Sequence, residues 1–363
     1  MAGNITVPLT FVKRRTEAFS SQADRLFRGT IKTSIIGPMS ALSQTALGPT
    51  RFARPVVVVS KCLCGARCRW DGDTLTYPFV HALKDYARII PVCPEMEIGL
   101  GVPRNRIILV RRGRRGGLYQ PTTGRELAQQ MIRFAQHFLA SLDCADGFIL
   151  KHKSPSCGPR GVKRYESADP DARFERRGTG LFAAEVLRQF PHSAIQDEER
   201  LGDLRIREHW LTRLFTLAAW RAVRKSRYTT RLVRFHAYQQ LLLNACNQRV
   251  TREMADVTRA AGRKPGHCAA IEQYEPLLFH ILQKPARRTS LVKPFETALE
   301  YYSRFIHANE RRRFAAQLRQ FRDGDIPLHQ VRKTVQVWAV RYDKSFVRQH
   351  SIFRPYPGPL AEI

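Results

Sequence analysis

Acidic side chains are scarce in this chain. Its 363 residues carry 31 Asp and Glu against 61 Lys and Arg, a formal charge of +30 at pH 7. A charge of that size repels itself unless a polyanion is near. Nucleic acid is the leading partner and an anionic membrane surface the second; arginine-rich composition from a GC-rich genome is the bland alternative. The excess runs through both halves of the chain, which points to a distributed basic surface rather than a charged tail. Long apolar runs are also missing: none approaches the roughly 18 residues of a membrane span. No secretory apolar stretch opens the sequence, so a soluble protein in the reducing cytoplasm is expected, with no membrane and no protein partner evident. Eight cysteines in a chain this long do not make a disulfide scaffold, and no Cys-x-x-Cys knuckle is present. Free thiols then serve metal binding, catalysis or packing.

Three textures follow one another. Residues 1–53 are poor in acids and without periodicity, and read as a flexible basic extension; a transit peptide or an upstream start both fit the composition. Residues 54–200 read as an α/β domain with a parallel sheet and crossover helices. Pro55-Val-Val-Val-Val-Ser60 is a β-branched run suited to a strand buried on both faces. A helix from Pro78 to Tyr86 leads to a second strand, Ala87 to Val92, and a third spans Gly147 to Leu150. Thr123-Gly-Arg-Glu126 has the form of a capping box, before apolar residues from Leu127 to Leu142 at helical spacing. Residues 201–363 are rich in Leu, Ala, Arg and aromatics with few Gly, and read as an all-α domain. Within it, residues 260–266 are expected to be a loop, and Tyr356-Pro-Gly-Pro359 to end the ordered structure.

Each of the three strands is followed within a few residues by a cysteine: Cys62, Cys93 and Cys157. Ligands of open α/β sheets sit outside the carboxyl ends of the strands, so these thiols are expected to converge. A zinc site, a [4Fe–4S] cluster on three cysteines with one open iron, and plain packing all remain open on spacing alone. The neighbours Lys61, Lys151 and Lys153 are expected to favour thiolate over thiol.

The surrounding residues carry a resemblance. Val59-Ser-Lys-Cys-Leu-Cys-Gly65 with Arg69-Trp-Asp-Gly72, the run from Pro91 to Arg104 through Cys93-Pro-Glu95, and Asp146 to Gly158 ending in Ser154-Pro-Ser-Cys-Gly158 resemble the motifs of the thiouracil desulfurase (TudS) family over about residues 55–200. Segments 201–208, 232–236, 301–305, 321–328 and 355–357 resemble the helical YbgA-type domain, and the fused pair is similar to RudS-type tRNA 4-thiouridine desulfidases. The resemblance implies a three-cysteine [4Fe–4S] cluster on Cys62, Cys93 and Cys157, whose open iron takes the sulfur of a thiolated pyrimidine in a non-redox C–S hydrolysis. It also implies tRNA as the partner, bound through the helical domain. Cys64 and Cys68 depart from the family pattern and are left out of the ligand set.

Water needs a base and the leaving sulfur an acid. Glu95 is the first candidate, with Ser154 and Ser156 to orient water or bond the cluster, although Glu95 also suits a plain salt bridge to Arg104. For RNA, the candidates are Arg111, Arg112, Arg114 and Arg115, then Arg221, Arg224 and Lys225, then Arg311 and Arg312, with Trp220 and Tyr228 as aromatics beside them. Two rival readings are a desulfidase of free thiouracil or thiouridine nucleotides, and an RNA-binding protein with a structural metal site.

Overall fold

The computed structural model describes residues 52–111, 116–169, 171–263 and 266–363. Nearly all of the expected extension at residues 1–53, and three candidate RNA contacts, Arg112, Arg114 and Arg115, lie outside them.

The α/β region starts with β1 (Val56–Ser60), α1 (Pro78–Leu83), β2 (Arg88–Val92) and the one-turn α2 (Pro94–Glu97). Short strands β3 (Ile108–Val110), β4 (Gly117–Gln120) and β5 (Arg125–Glu126) precede α3 (Ala128–Ala140). Then come β6 (Gly147–Leu150), β7 (Val162–Tyr165), β8 (Phe174–Gly178), α4 (Leu181–Gln189) and β9 (Ala194–Asp197). The main sheet has the order β2-β1-β6-β9 and is parallel throughout. All five residues of β1 are buried because both faces are covered. On one face Phe148 and Leu150 pack with Met131, Ala135 and Phe182 of α3 and α4. On the other, Val57, Val59 and Ile149 pack with Phe79 and Leu83 of α1.

A second sheet, ordered β5-β4-β3-β7-β8, was not expected from the sequence. Its formation overturns the capping box at Thr123. Glu126 stands opposite Tyr119 in an antiparallel pair, Thr123 Oγ1 donates to Gln120 Oε1 at 2.7 Å, and the helix begins only at Ala128. Sheet pairing of Arg125 and Glu126 with β4 takes the backbone that a capping box would have used.

The helical region begins with α5 (Leu204–Arg224), capped by Asp203, whose side chain accepts from the N–H of Arg205 at 2.7 Å and of Ile206 at 3.1 Å. It continues through α6 (Thr229–Cys246), α7 (Gln248–Arg263), α8 (His267–Ile281), α9 (Arg288–Tyr302), α10 (Ala308–Asp323), α11 (Leu328–Arg341) and the short α12 (Ser345–Arg348). Among the described residues, no helix is long and apolar enough to cross a membrane. The loop expected over 260–266 is shorter, because α7 runs on through Gly262 to Arg263. Nor does order end at Tyr356: a 3-10 turn spans Gly358–Ala361, and Tyr356 and Leu360 are buried against the β1 face of the sheet. Apolar burial outweighs the turn chemistry of Pro357 and Gly358 there.

Helices and sheet are tightly joined. Trp210, Leu211, Leu214 and Phe215 of α5 belong to the same core as Val57, Val59 and Ile149, and Trp210 Nε1 donates to the carbonyl of Ala194 at 2.7 Å. Arg221 clasps Asp146 through Nε at 3.0 Å and Nη2 at 2.9 Å, while Asp146 also accepts the N–H of Val56 at 2.8 Å. Such a two-pronged guanidinium–carboxylate contact fixes orientation as well as distance.

Candidate active site

The carboxyl ends of β1, β2 and β6 open onto one cavity of about 360 Å3. Cys62 lies in a single 3-10 turn directly after β1, Cys93 precedes α2 at the end of β2, and Cys157 sits in the turn beyond β6. All three line the cavity, together with Cys68. Cys68 is buried, accepts at its carbonyl from the Cys93 thiol (3.7 Å), and has its own free thiol in hydrogen-bond contact with that of Cys62. Its clustering with Cys62 and Cys64 in the sequence did not single it out; the β-bridge between Cys64 and Thr76 folds the loop back and carries it there. Cys64 joins the apolar core beside Leu75 and Tyr77 instead.

Without a bound metal, the nearby lysines do not hold Cys93 and Cys157 as thiolates. Burial pushes the Cys93 thiol up to about 12, and burial followed by the Glu95 charge raises that of Cys157. The hydrogen bond to Cys62, ahead of burial, raises that of Cys68. Desolvation outweighs the distant positive charges, and Lys151 is taken by an ion pair with Glu198. Buried thiols of this kind lose their protons to a bound metal. Among the described residues, no three His, Cys, Asp or Glu side chains converge closely enough to ligate one ion. A [4Fe–4S] cluster places each thiolate on a different iron, so its ligands need not meet at a point. An all-sulfur donor set on the ends of three strands, with Lys61, Lys153 and Arg106 around it to offset negative charge, fits such a group.

The turn that carries Cys157 is built from its serines. Ser154 Oγ accepts the N–H of Cys157 at 3.1 Å and of Ser156 at 3.3 Å, and Ser156 Oγ donates to Glu95 Oε1 at 2.6 Å. Ser154 Oγ approaches the same oxygen at 3.4 Å. The other oxygen of Glu95 accepts from Arg104 through Nε at 2.9 Å and through Nη2. Arg104 in turn donates to the carbonyls of Cys68 at 3.1 Å and Gly101 at 2.9 Å. Glu95 thus ties the loops of Cys68, Cys93 and Cys157 together while lining the cavity itself. Glycines let the backbones close: a Cβ on Gly180 would stand 2.5 Å from the Ser156 carbonyl oxygen, and one on Gly158 2.8 Å from that of Ser154.

A second network was not foreseen. His152 lines the cavity, with Nδ1 3.3 Å from Asp197 Oδ1 and Nε2 2.5 Å from Glu199 Oε2. Its backbone N–H donates to Glu198 at 2.7 Å. Asp197 is fully buried at the end of β9, the strand beside β6, so sheet pairing brings it to His152. The sequence signal was the run Asp197-Glu-Glu199, three acids together in an acid-poor chain. At the cavity wall Trp70 is 38% exposed, with the Arg106 guanidinium 4.2 Å from its ring centroid.

Residues 57–198, which hold every residue lining this cavity, match the family 2-thiouracil desulfurase. Residues 240–357 match DUF1722, a family described as of unknown function. The chain thus carries two successive regions, each similar to one of these families. A curated relative, the uncharacterized protein YbbK of Bacillus subtilis (strain 168), is 26% identical over 161 residues, 41% of this chain and 99% of that protein. The solved structure of the [4Fe-4S]-dependent thiouracil desulfidase TudS is 24% identical over 41% of this chain and 94% of its own, with a TM-score of 0.33.

The cationic candidates for RNA contact are scattered over both family regions and the helix between them. Arg111 is exposed just beyond β3. Arg221 is committed to Asp146, Arg224 lies 3.4 Å from Glu275, and Lys225 is exposed at the end of α5. In the DUF1722 region Arg311 donates to the carbonyls of Ser303 (3.0 Å) and Ile306 (3.4 Å), and Arg312 to Asn309 (2.5 Å). Trp220 is buried and stacked on Tyr274 at 5.1 Å, whereas Tyr228 is 67% exposed.

Proposed function

We propose that this protein is an iron–sulfur-dependent desulfidase that hydrolyses the C–S bond of a thiolated pyrimidine, with 4-thiouridine in tRNA as its substrate and uridine and sulfide as products. The observation that carries this reading is the arrival of Cys62, Cys93 and Cys157 from three strand ends at one cavity within the desulfurase region. In it these three cysteines hold a [4Fe–4S] cluster. When bound, the cluster supplies an open iron that acts as a Lewis acid toward the thiocarbonyl sulfur, drawing electron density from C4 of the ring.

The chain's own residues handle water and protons. Glu95 presents its carboxylate to the cavity and takes a proton from the attacking water, while Ser154, in contact with Glu95 Oε1, orients that water. Ser156 and Arg104 hold the carboxylate in place from the protein side. His152 stands at the cavity wall between the carboxylates of Asp197 and Glu199. Its imidazole, which lines the cavity, hands a proton to the departing sulfur. Water adds to C4, the C–S bond breaks, and the oxygen of water becomes the carbonyl of uridine.

The high positive charge favours tRNA over a free base, since each neutralised phosphate releases counterions. A cavity of about 360 Å3 also suits a lone pyrimidine, which keeps free thiouracil as the second reading. An anaerobic sulfide assay decides. Sulfide from 4-thiouridine-containing tRNA but not from 4-thiouracil supports the first reading, the reverse supports the second, and no sulfide from either with a loaded cluster overturns both.

A further inference from the structure

A second, wider cavity of about 720 Å3 opens where α5 leaves the sheet and faces the ends of α8, α10 and α11. Its floor is apolar, with Leu211, Leu242, Phe321 and Leu328, and its lining holds eight Arg and Lys against three carboxylates. Two of those carboxylates are occupied: Asp203 caps α5, and Glu208 holds Arg332 and Tyr356. Four of the cations, Arg160, Arg200, Arg205 and Lys284, have no hydrogen-bond or ion-pair partner for their side chains among the described residues. The Nε of Arg213 is buried without a partner.

Bases around this cavity are penalised for their charge. Burial, and then the Arg213 charge, pushes His209 down to about 4; burial lowers Arg213 and His329; burial and then Arg200 lower Arg160. Asp197, Glu208 and Glu362 offset this only in part. A wall of like charges over an apolar floor is relieved by a ligand that brings negative oxygens together with a flat apolar body. We infer that this cavity binds a nucleotide unit, its phosphate against Arg205, Lys284 and their neighbours and its base on the apolar floor.

That phosphate belongs either to an RNA strand or to a free nucleotide, and the inference holds apart from the chemistry at the thiol cavity. The test titrates the full chain with a fluorescein-labelled oligouridylate and, separately, with uridine monophosphate, comparing the unaltered protein with the double variant Arg205→Gln, Lys284→Gln. Affinity is expected to fall about tenfold or more, with the salt slope for the oligonucleotide smaller by about 0.7, the value for one phosphate no longer neutralised. Weaker binding of the oligonucleotide alone assigns an RNA strand; parallel weakening with the mononucleotide assigns a free nucleotide. Unchanged affinity for both in a folded variant overturns the site. If circular dichroism shows the double variant unfolded, Lys284→Gln alone, on an exposed side chain, is judged by the same criterion. Sulfide release from thiolated substrates by the unaltered protein reads the thiol cavity separately, so that reading can fail while this one stands.

Discussion

In the α/β region, side chains with chemistry are delivered by strand ends, and each lies close in sequence to the strand that places it. In the helical region, arginines that run together in sequence are dispersed in space, and several act as internal braces. Arg332 is buried, donating to the carbonyl of Ile352 at 2.8 Å and to Glu208 at 2.7 Å, while Arg288 holds the carbonyl of Phe321 at 2.8 Å. A cluster of cations in sequence is therefore a poor guide to a cationic surface, whereas a cysteine after a strand is a good guide to a site. A parallel sheet aligns its strand ends, and a helix rotates neighbouring residues onto different faces.

The sharpest break in this comparison comes from the thiols. Cys157→Ser is expected to abolish visible iron–sulfur absorbance and sulfide release together, while Cys64→Ser, altering a core-facing thiol, leaves both; absorbance retained by the Cys157 variant refutes its place as a ligand. Next comes Glu95→Gln, expected to slow turnover by about 10²–10⁴-fold, the usual worth of positioned proton transfer. It also leaves Arg104 unpaired at 4% side-chain exposure, so the variant should lose about 3 kcal/mol in urea unfolding. In the helices, Glu208→Gln strips the buried Arg332 of its partner and should destabilise by about 3–5 kcal/mol; a change below about 1 kcal/mol would show that the brace is dispensable.

A smaller effect depends on pH. Burial lowers His236 to about 4 from its ordinary 6.5. The unfolded chain binds the proton more readily between those values, so this contribution is present in full above pH 6.5 and is lost as pH falls toward 4. The total is about 3 kcal/mol at 1.36 kcal/mol per unit. His236→Phe should flatten that part of the melting-temperature profile, and an unaltered profile would sink the assignment. Smallest of all, Arg312→Ala on the surface of α10 should change stability by no more than about 0.5 kcal/mol, checked in the same unfolding assay.

The valine run of β1 was legible because a strand buried on both faces leaves an unbroken apolar signature, and the helix of residues 128–140 because its apolar positions repeat at helical spacing. Strands β3, β4, β5, β7 and β8 were not. They are two to five residues long, and Val162-Lys-Arg-Tyr165 or Phe174-Glu-Arg-Arg-Gly178 shows too little alternation to stand out from loop. Pairing between distant segments makes them strands. The same holds at the cavity. Glu95 stood beside a cysteine and was noticed; His152 and Asp197 lie far apart in sequence and meet only because β6 and β9 are neighbours. Cys68 was set aside because it departs from the pattern of the family that the sequence resembles.

The core shared by Val57, Val59, Ile149, Trp210, Leu214 and Leu360 has a practical consequence for anyone dividing this protein. A fragment cut after residue 200 would not be a free-standing enzyme half. It would keep α1 on that face of its main sheet but lose the packing of α5 and Leu360, exposing apolar side chains to the next copy.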